Sequence, residues 1–129
     1  MKRPELIIYW IATSWLSLGM VSTGIVQLMK QAEEVKMMTD LGYPSYLLTL
    51  LGLWKLAGVC VILLPRQALL KEWAYAGFFF TTSGAIFSHL AAGQHAKTVL
   101  PAALLLVLTI VSWLFRPASR KMPVAPQIN

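Results

Sequence analysis

A chain of 129 residues that is 57% hydrophobic and 12% charged does not read as a water-soluble domain, where roughly a quarter of residues carry charge. Its formal net charge of +6 does not signal nucleic acid either: the Lys and Arg residues, all but Lys55, are scattered between apolar runs, with no basic stripe interleaved with aromatics. The single cysteine, Cys60, lies in an apolar run; it excludes an internal disulfide or a Cys-x-x-Cys pair and is expected to be a small buried hydrophobe.

The first apolar run, 6–28, follows Lys2 and Arg3. It is too long for a signal-peptide core of ~7–15 residues and has no clear cleavage site after it, so it reads as a retained span. Ser14, Ser17 and Gly24 fall near one face of it. Around the connection 29–45, Leu28, Val35, Met38 and Leu41 recur at roughly helical spacing with Glu33, Glu34 and Lys36 between them. Gly42 and Pro44 then supply a helix stop. A short amphipathic helix at the outer interface is expected.

The second span, 46–64, has Lys55 at its centre and Gly52 one turn earlier. The third, 73–90, can begin earlier, because 68–70 are also apolar. It carries Gly77, Thr81, Gly84 and Ser88, a small-residue face suited to close helix packing. A second stripe, Glu72, Tyr75, Phe79, Thr82, Ile86 and His89, shares one face and is expected to look inward. The fourth span, 99–115, offers Thr109 and Ser112. The tail 118–129 is expected to be loose and cytoplasmic.

The fold class that follows is an all-α membrane protein. It is an antiparallel four-transmembrane-helix bundle in one domain, 1–117, with a short interfacial helix in the first loop. Lys2, Arg3, Arg66, Lys71, Arg116, Arg120 and Lys121 fall on one side, against Lys30, Lys36 and Lys97 on the other. The positive-inside rule then places both termini in the cytoplasm. Trp10, Trp73, Trp113, Tyr43 and Tyr46 lie near span ends, as interfacial aromatics do.

Lys55 is the informative anomaly. It sits about 14 Å from either end of its span at 1.5 Å per residue, beyond the roughly 6 Å reach of its stem toward the interface. A charge so placed usually faces a bundle interior and marks a function. Side chains lean toward the N-terminus of their own helix. In adjacent antiparallel spans, Lys55 and His89 would therefore converge, with hydroxyls such as Thr82 nearby, while Glu72 would lean away. A lysine and a neutral histidine could hold an anion, polarise a carbonyl or quinone oxygen, or relay protons. The plainer alternative is a lysine bonded to hydroxyls as a strut.

Glu72 has two readings. It is a first-turn acid stabilised by the helix dipole and by Lys71 or Arg66, or a partner for Tyr75 or a ligand headgroup at the inner mouth. No metal site is expected, because His89 and His95 have no carboxylate at ligand spacing. Nucleotide-binding, serine-hydrolase and haem-attachment motifs are lacking.

The stretches LGYPSYLLTLLGLWKLAGVCVILLP, KEWAYAGFFFTTSGAIFSHLAAG and LPAALLLVLTIVSWLFRP resemble the DoxX-like family of small four-helix integral membrane proteins, over most of the chain to about Pro117. The most specific matches are Glu72-Trp73-Ala74-Tyr75-Ala76-Gly77, Ser88-His89 and Gly52-Leu53-Trp54-Lys55. The family is named after the small membrane subunit of a thiosulfate:quinone oxidoreductase, and related members are linked to membrane oxidoreductase and oxidative-stress complexes. The resemblance implies an accessory or quinone-binding subunit of a membrane redox system, in a bacterial cell membrane, acting with a partner subunit or as an oligomer. Lys55, His89, Thr82, Tyr75 and Glu72 are the expected ligand-binding residues. The ligand would be a quinone or another small amphipathic molecule, and no catalytic residue is assigned. A small-molecule carrier or channel, and a non-catalytic assembly or scaffold protein, are the alternatives.

Overall fold

The computed structural model describes residues 3–30, 32–65, 67–93, 99–117 and 120–121. Among these residues the structure is all helical, with no strand. The helices are α1 (Arg3–Met29), α2 (Ala32–Leu41), α3 (Tyr46–Leu63), α4 (Ala68–Ala91) and α5 (Leu100–Leu114). Pro4 and Pro101 sit at helix starts, where a missing N–H costs nothing.

The expected amphipathic segment is α2, with Met38 buried and Val35 and Leu41 half-buried. Gly42 ends it at φ +85°, its N–H donating to the Thr39 carbonyl, while Tyr43 N–H donates to Met38. Glycine takes this left-handed conformation without Cβ strain.

α4 begins at Ala68, extended by the apolar residues ahead of the expected start. Glu72 therefore falls in the second turn. The first-turn reading of its charge is corrected accordingly.

α1 packs against α3 and α5, and α4 packs against the same two; α2 rests on α3. Leu16, Met20, Val59, Ile62, Tyr75 and Phe78 form one buried cluster. Close helix approach is concentrated between α1 and α3. A Cβ added at Gly52 would lie 2.8 Å from the Gly24 carbonyl oxygen, and one at Gly24 3.3 Å from the Gly52 oxygen. The expected packing face on α4 is instead open, because a Cβ at Gly77 or Gly84 would meet nothing within 4 Å.

The outside of the molecule is apolar. Trp15, Trp54, Phe80 and Phe87 are 59% to 74% exposed, and Cys60 is exposed rather than buried. α1 and α3 are long and apolar enough to cross a membrane by length and composition. α5 is also apolar but shorter. Polar groups lie within: Thr13, Ser17, Gln27, Lys55, Lys71, Thr82, His89, Thr109 and Ser112 are all buried.

Basic side chains fasten one end. Lys71 Nζ donates to the Val61 carbonyl at 2.6 Å and also to the Leu64 carbonyl. Arg120 donates to Ile62 and Leu64 carbonyls at 2.8 and 3.1 Å, with its guanidinium 5.0 Å from the Trp10 ring centroid. These cations satisfy carbonyls that the end of α3 leaves without helical partners. At Arg120 the tail is thus anchored. Arg66, His95 and Lys97 lie outside the described residues.

Candidate functional site

The contact of Gly24 with Gly52 sets up the site, since it lets α1 and α3 approach backbone to backbone. Lys55, one turn after Gly52, lies on the buried stripe Leu48, Gly52, Lys55, Val59, Ile62 of α3. The close approach carries its side chain to α1, where Lys55 Nζ donates to Thr23 Oγ1 at 3.1 Å. Thr23 in turn donates to the Gly19 carbonyl at 2.9 Å.

Lys55, Thr23, Thr82 and His89 line one cavity of about 740 Å³ with walls from all five helices. That volume is in the range of small-molecule sites. α1 contributes Val26 and Gln27, and α5 contributes Pro101, Ala102 and Leu105. α2 closes one side with Glu33, Glu34, Lys36, Met37 and Asp40.

The cavity is therefore chemically two-faced. Its interior offers the Lys55 ammonium as a donor and hydroxyl oxygens as acceptors, set among apolar walls, and its rim at α2 carries three acids and Lys36. The Thr82 hydroxyl donates to the Phe78 carbonyl at 2.7 Å, which leaves its oxygen free to accept. Beside His89, Ser88 Oγ and the Tyr43 hydroxyl are 2.6 Å apart and tie the start of α3 to the end of α4.

Glu72 and Tyr75 are elsewhere. They line a separate groove of about 480 Å³ between α4 and α5, with Phe79, Thr109 and Trp113. Glu72 pairs with Arg116 at 2.9 Å and accepts from Trp113 Nε1 at 3.0 Å. Lys71, a neighbour expected for it, turns to the end of α3 instead. The Tyr75 hydroxyl is 2.7 Å from Ser112 Oγ, which lies 2.6 Å from Thr13 Oγ1. Fully buried Tyr9 adjoins this hydroxyl chain. The five sequence-predicted residues thus divide between two places: Lys55, Thr82 and His89 in one, Glu72 and Tyr75 in the other.

Thr23, Thr13 and the acids of the rim were not foreseen as site residues. The signal for Thr13 was present. Tyr9, Thr13, Leu16, Met20, Gly24 and Gln27 recur every three or four residues and are all buried, whereas Ser14, grouped by sequence with Ser17 and Gly24, is exposed.

Apolar side chains outward, hydroxyls and buried ammonium groups inward, and helices as the sole regular structure among the described residues accord with an integral membrane protein. In lipid, a helix satisfies its own backbone and leaves polar side chains to pair within. The DoxX-like family matches residues 11–112, and the chain belongs to that family. No curated protein and no solved structure gives a match.

Proposed function

We propose that this protein binds the headgroup of a quinone, or of a similar small amphipathic molecule, in the cavity at Lys55. It would serve as an accessory subunit of a membrane redox system. The observation that carries the reading is the meeting of Lys55, Thr82 and His89 on the wall of one cavity. An ammonium has three donors, and one of Lys55's engages Thr23. A quinone oxygen accepts from such a donor while its ring lies against Val26, Ala85 and Leu105. Having no assigned redox centre of its own, the protein would act with a partner subunit.

The same reading takes α1, α3, α4 and α5 as an antiparallel transmembrane bundle with both termini cytoplasmic and α2 at the outer interface. Two observations support it: the cyclic packing of these four helices and the gathering of Lys71, Arg116 and Arg120 at one end. Cationic ends of this kind face the cytoplasm.

The test is mass spectrometry of small molecules retained by the mildly solubilised protein. Quinone is expected with the wild type and lost in Lys55→Ala. Its absence from the wild type, or equal retention by the variant, refutes the proposal.

A further inference from the structure

The Lys55 cavity is not closed toward lipid. Two clefts of about 440 and 250 Å³ lie along α3 and α4, the smaller one walled also by Met37, Met38 and Leu41 of α2, and both share Lys55 and Thr81 with the cavity. Two glycines of α4 lie along these clefts. Gly77 lines the larger cleft and Gly84 the smaller, and neither has any atom within 4 Å of where a Cβ would stand. Seven residues of helix separate them, or about 10 Å. Trp54, Trp73 and Phe80, all exposed, stand on the flanks. The cavity's mouth along the charged side of α2 carries Glu33, Glu34 and Asp40 with Lys36, a net acidic set.

We propose that the gap between α3 and α4 is a lateral portal from the bilayer, and that it holds the apolar chain of the molecule whose headgroup occupies the Lys55 cavity. This rests on the headgroup reading above and names the ligand class more narrowly: a lipid-dissolved amphiphile with a long hydrocarbon chain. The continuity of cavity and gap through Lys55 and Thr81 selects this occupant. A chain leaving through the acidic mouth would lose its apolar surroundings to charge and water, whereas one leaving through the gap passes over glycine and aromatic surface into lipid. Glycine at 77 and 84 supplies the depth that a chain needs.

The experiment compares two quinones with the same ring, one with a long isoprenoid chain and one with none. Binding is measured to protein in nanodiscs of one lipid composition, for wild type, Gly77→Leu and Gly84→Leu. Neither glycine is among the residues lining the Lys55 cavity, so the chainless quinone doubles as a check on folding. Loss of long-chain affinity by at least about tenfold, with chainless binding retained, is the expected result; a change of that size suits the displacement of several methylenes from a shaped apolar site. Equal binding of both quinones to all three proteins overturns the portal while leaving the headgroup site standing. Equal loss of both in the variants also overturns it. Failure of both quinones to bind wild type refutes the headgroup reading and the portal with it. Displacement of a copurified phospholipid by leucine, with long-chain quinone affinity unchanged, assigns the gap to structural lipid and overturns the proposal.

Discussion

Replacing Gly52 by alanine tests whether the α1–α3 contact builds the site. The new methyl would stand 2.8 Å from the Gly24 oxygen and 2.7 Å from Leu28 Cγ. Relaxed carbon contacts are about 3.5–4.0 Å. Leu28 can rotate away, but a backbone carbonyl can move only with its helix, so α1 and α3 must part. Overpacking of this kind costs about 1–3 kcal/mol, offset by up to about 1 kcal/mol from placing alanine instead of glycine in a helix. Gly84→Ala isolates the clash. It gains the same propensity and meets no neighbour within 4 Å. Gly52→Ala should therefore be less stable than Gly84→Ala by about 1–3 kcal/mol. The measurement is reversible unfolding by SDS in mixed micelles, followed by far-UV circular dichroism. Separation of the helices also draws Thr23 from Lys55, now 3.1 Å apart, so Gly52→Ala should retain less quinone as well. Equal stability of the two alanine variants would refute the reasoning.

Lys55→Met should leave unfolding stability unchanged or raised, because it keeps the apolar stem and removes a buried charge; loss of more than about 1 kcal/mol in the SDS titration would show that the lysine is a strut. Ser112→Ala leaves the hydroxyls of Thr13 and Tyr75 without the partner that now joins them, and should cost about 1–3 kcal/mol in the same assay. Lys71→Met uncovers the Val61 carbonyl while Arg120 still serves Ile62 and Leu64. Amide exchange should quicken in the last turn of α3 and not at its start, as read by deuterium uptake.

Much of the architecture was legible because lipid demands long apolar runs, and these can be read without knowing what they pack against. The stop at Gly42 and the helix before it follow from local rules in the same way. The convergence of Lys55 and His89 on one cavity could be anticipated because the lean of helical side chains is itself local. What could not be read was rotation. The inward stripe of α4 runs Lys71, Tyr75, Phe78, Thr82, His89, one residue off the polar stripe at Lys71 and Phe78. Which neighbour turns a helix by that amount depends on contacts between helices, here Phe78 against Gly58, where an added Cβ would lie 2.6 Å from the ring. The same dependence hid Thr23, whose role exists only because Gly24 and Gly52 let two backbones touch. It also gave Glu72 to Arg116, far away in sequence, and not to the adjacent Lys71.

The division of the polar interior bears on the carrier and channel alternatives. Tyr9, Thr13, Tyr75 and Ser112 lie toward the basic end, and Thr23, Lys55, Thr82 and His89 toward α2. Between them on α1 stand Leu16 and Met20, on α3 Val59, and on α4 Phe78, all buried in one cluster. Thr13 and Thr23 are thereby held about 15 Å apart along their helix. Thr109 belongs to neither group, for its hydroxyl turns back to the Leu105 carbonyl at 2.7 Å. Ser17, also buried, has no hydrogen-bond partner for its Oγ among the described residues. A proton or ion crossing the bundle would have to part this apolar cluster, since a chain of hydroxyls relays only across hydrogen-bond distances. A molecule arriving from lipid at Lys55 need not disturb it. The closed cluster between the two polar groups thus favours a protein that receives a ligand from one side over one that conducts across.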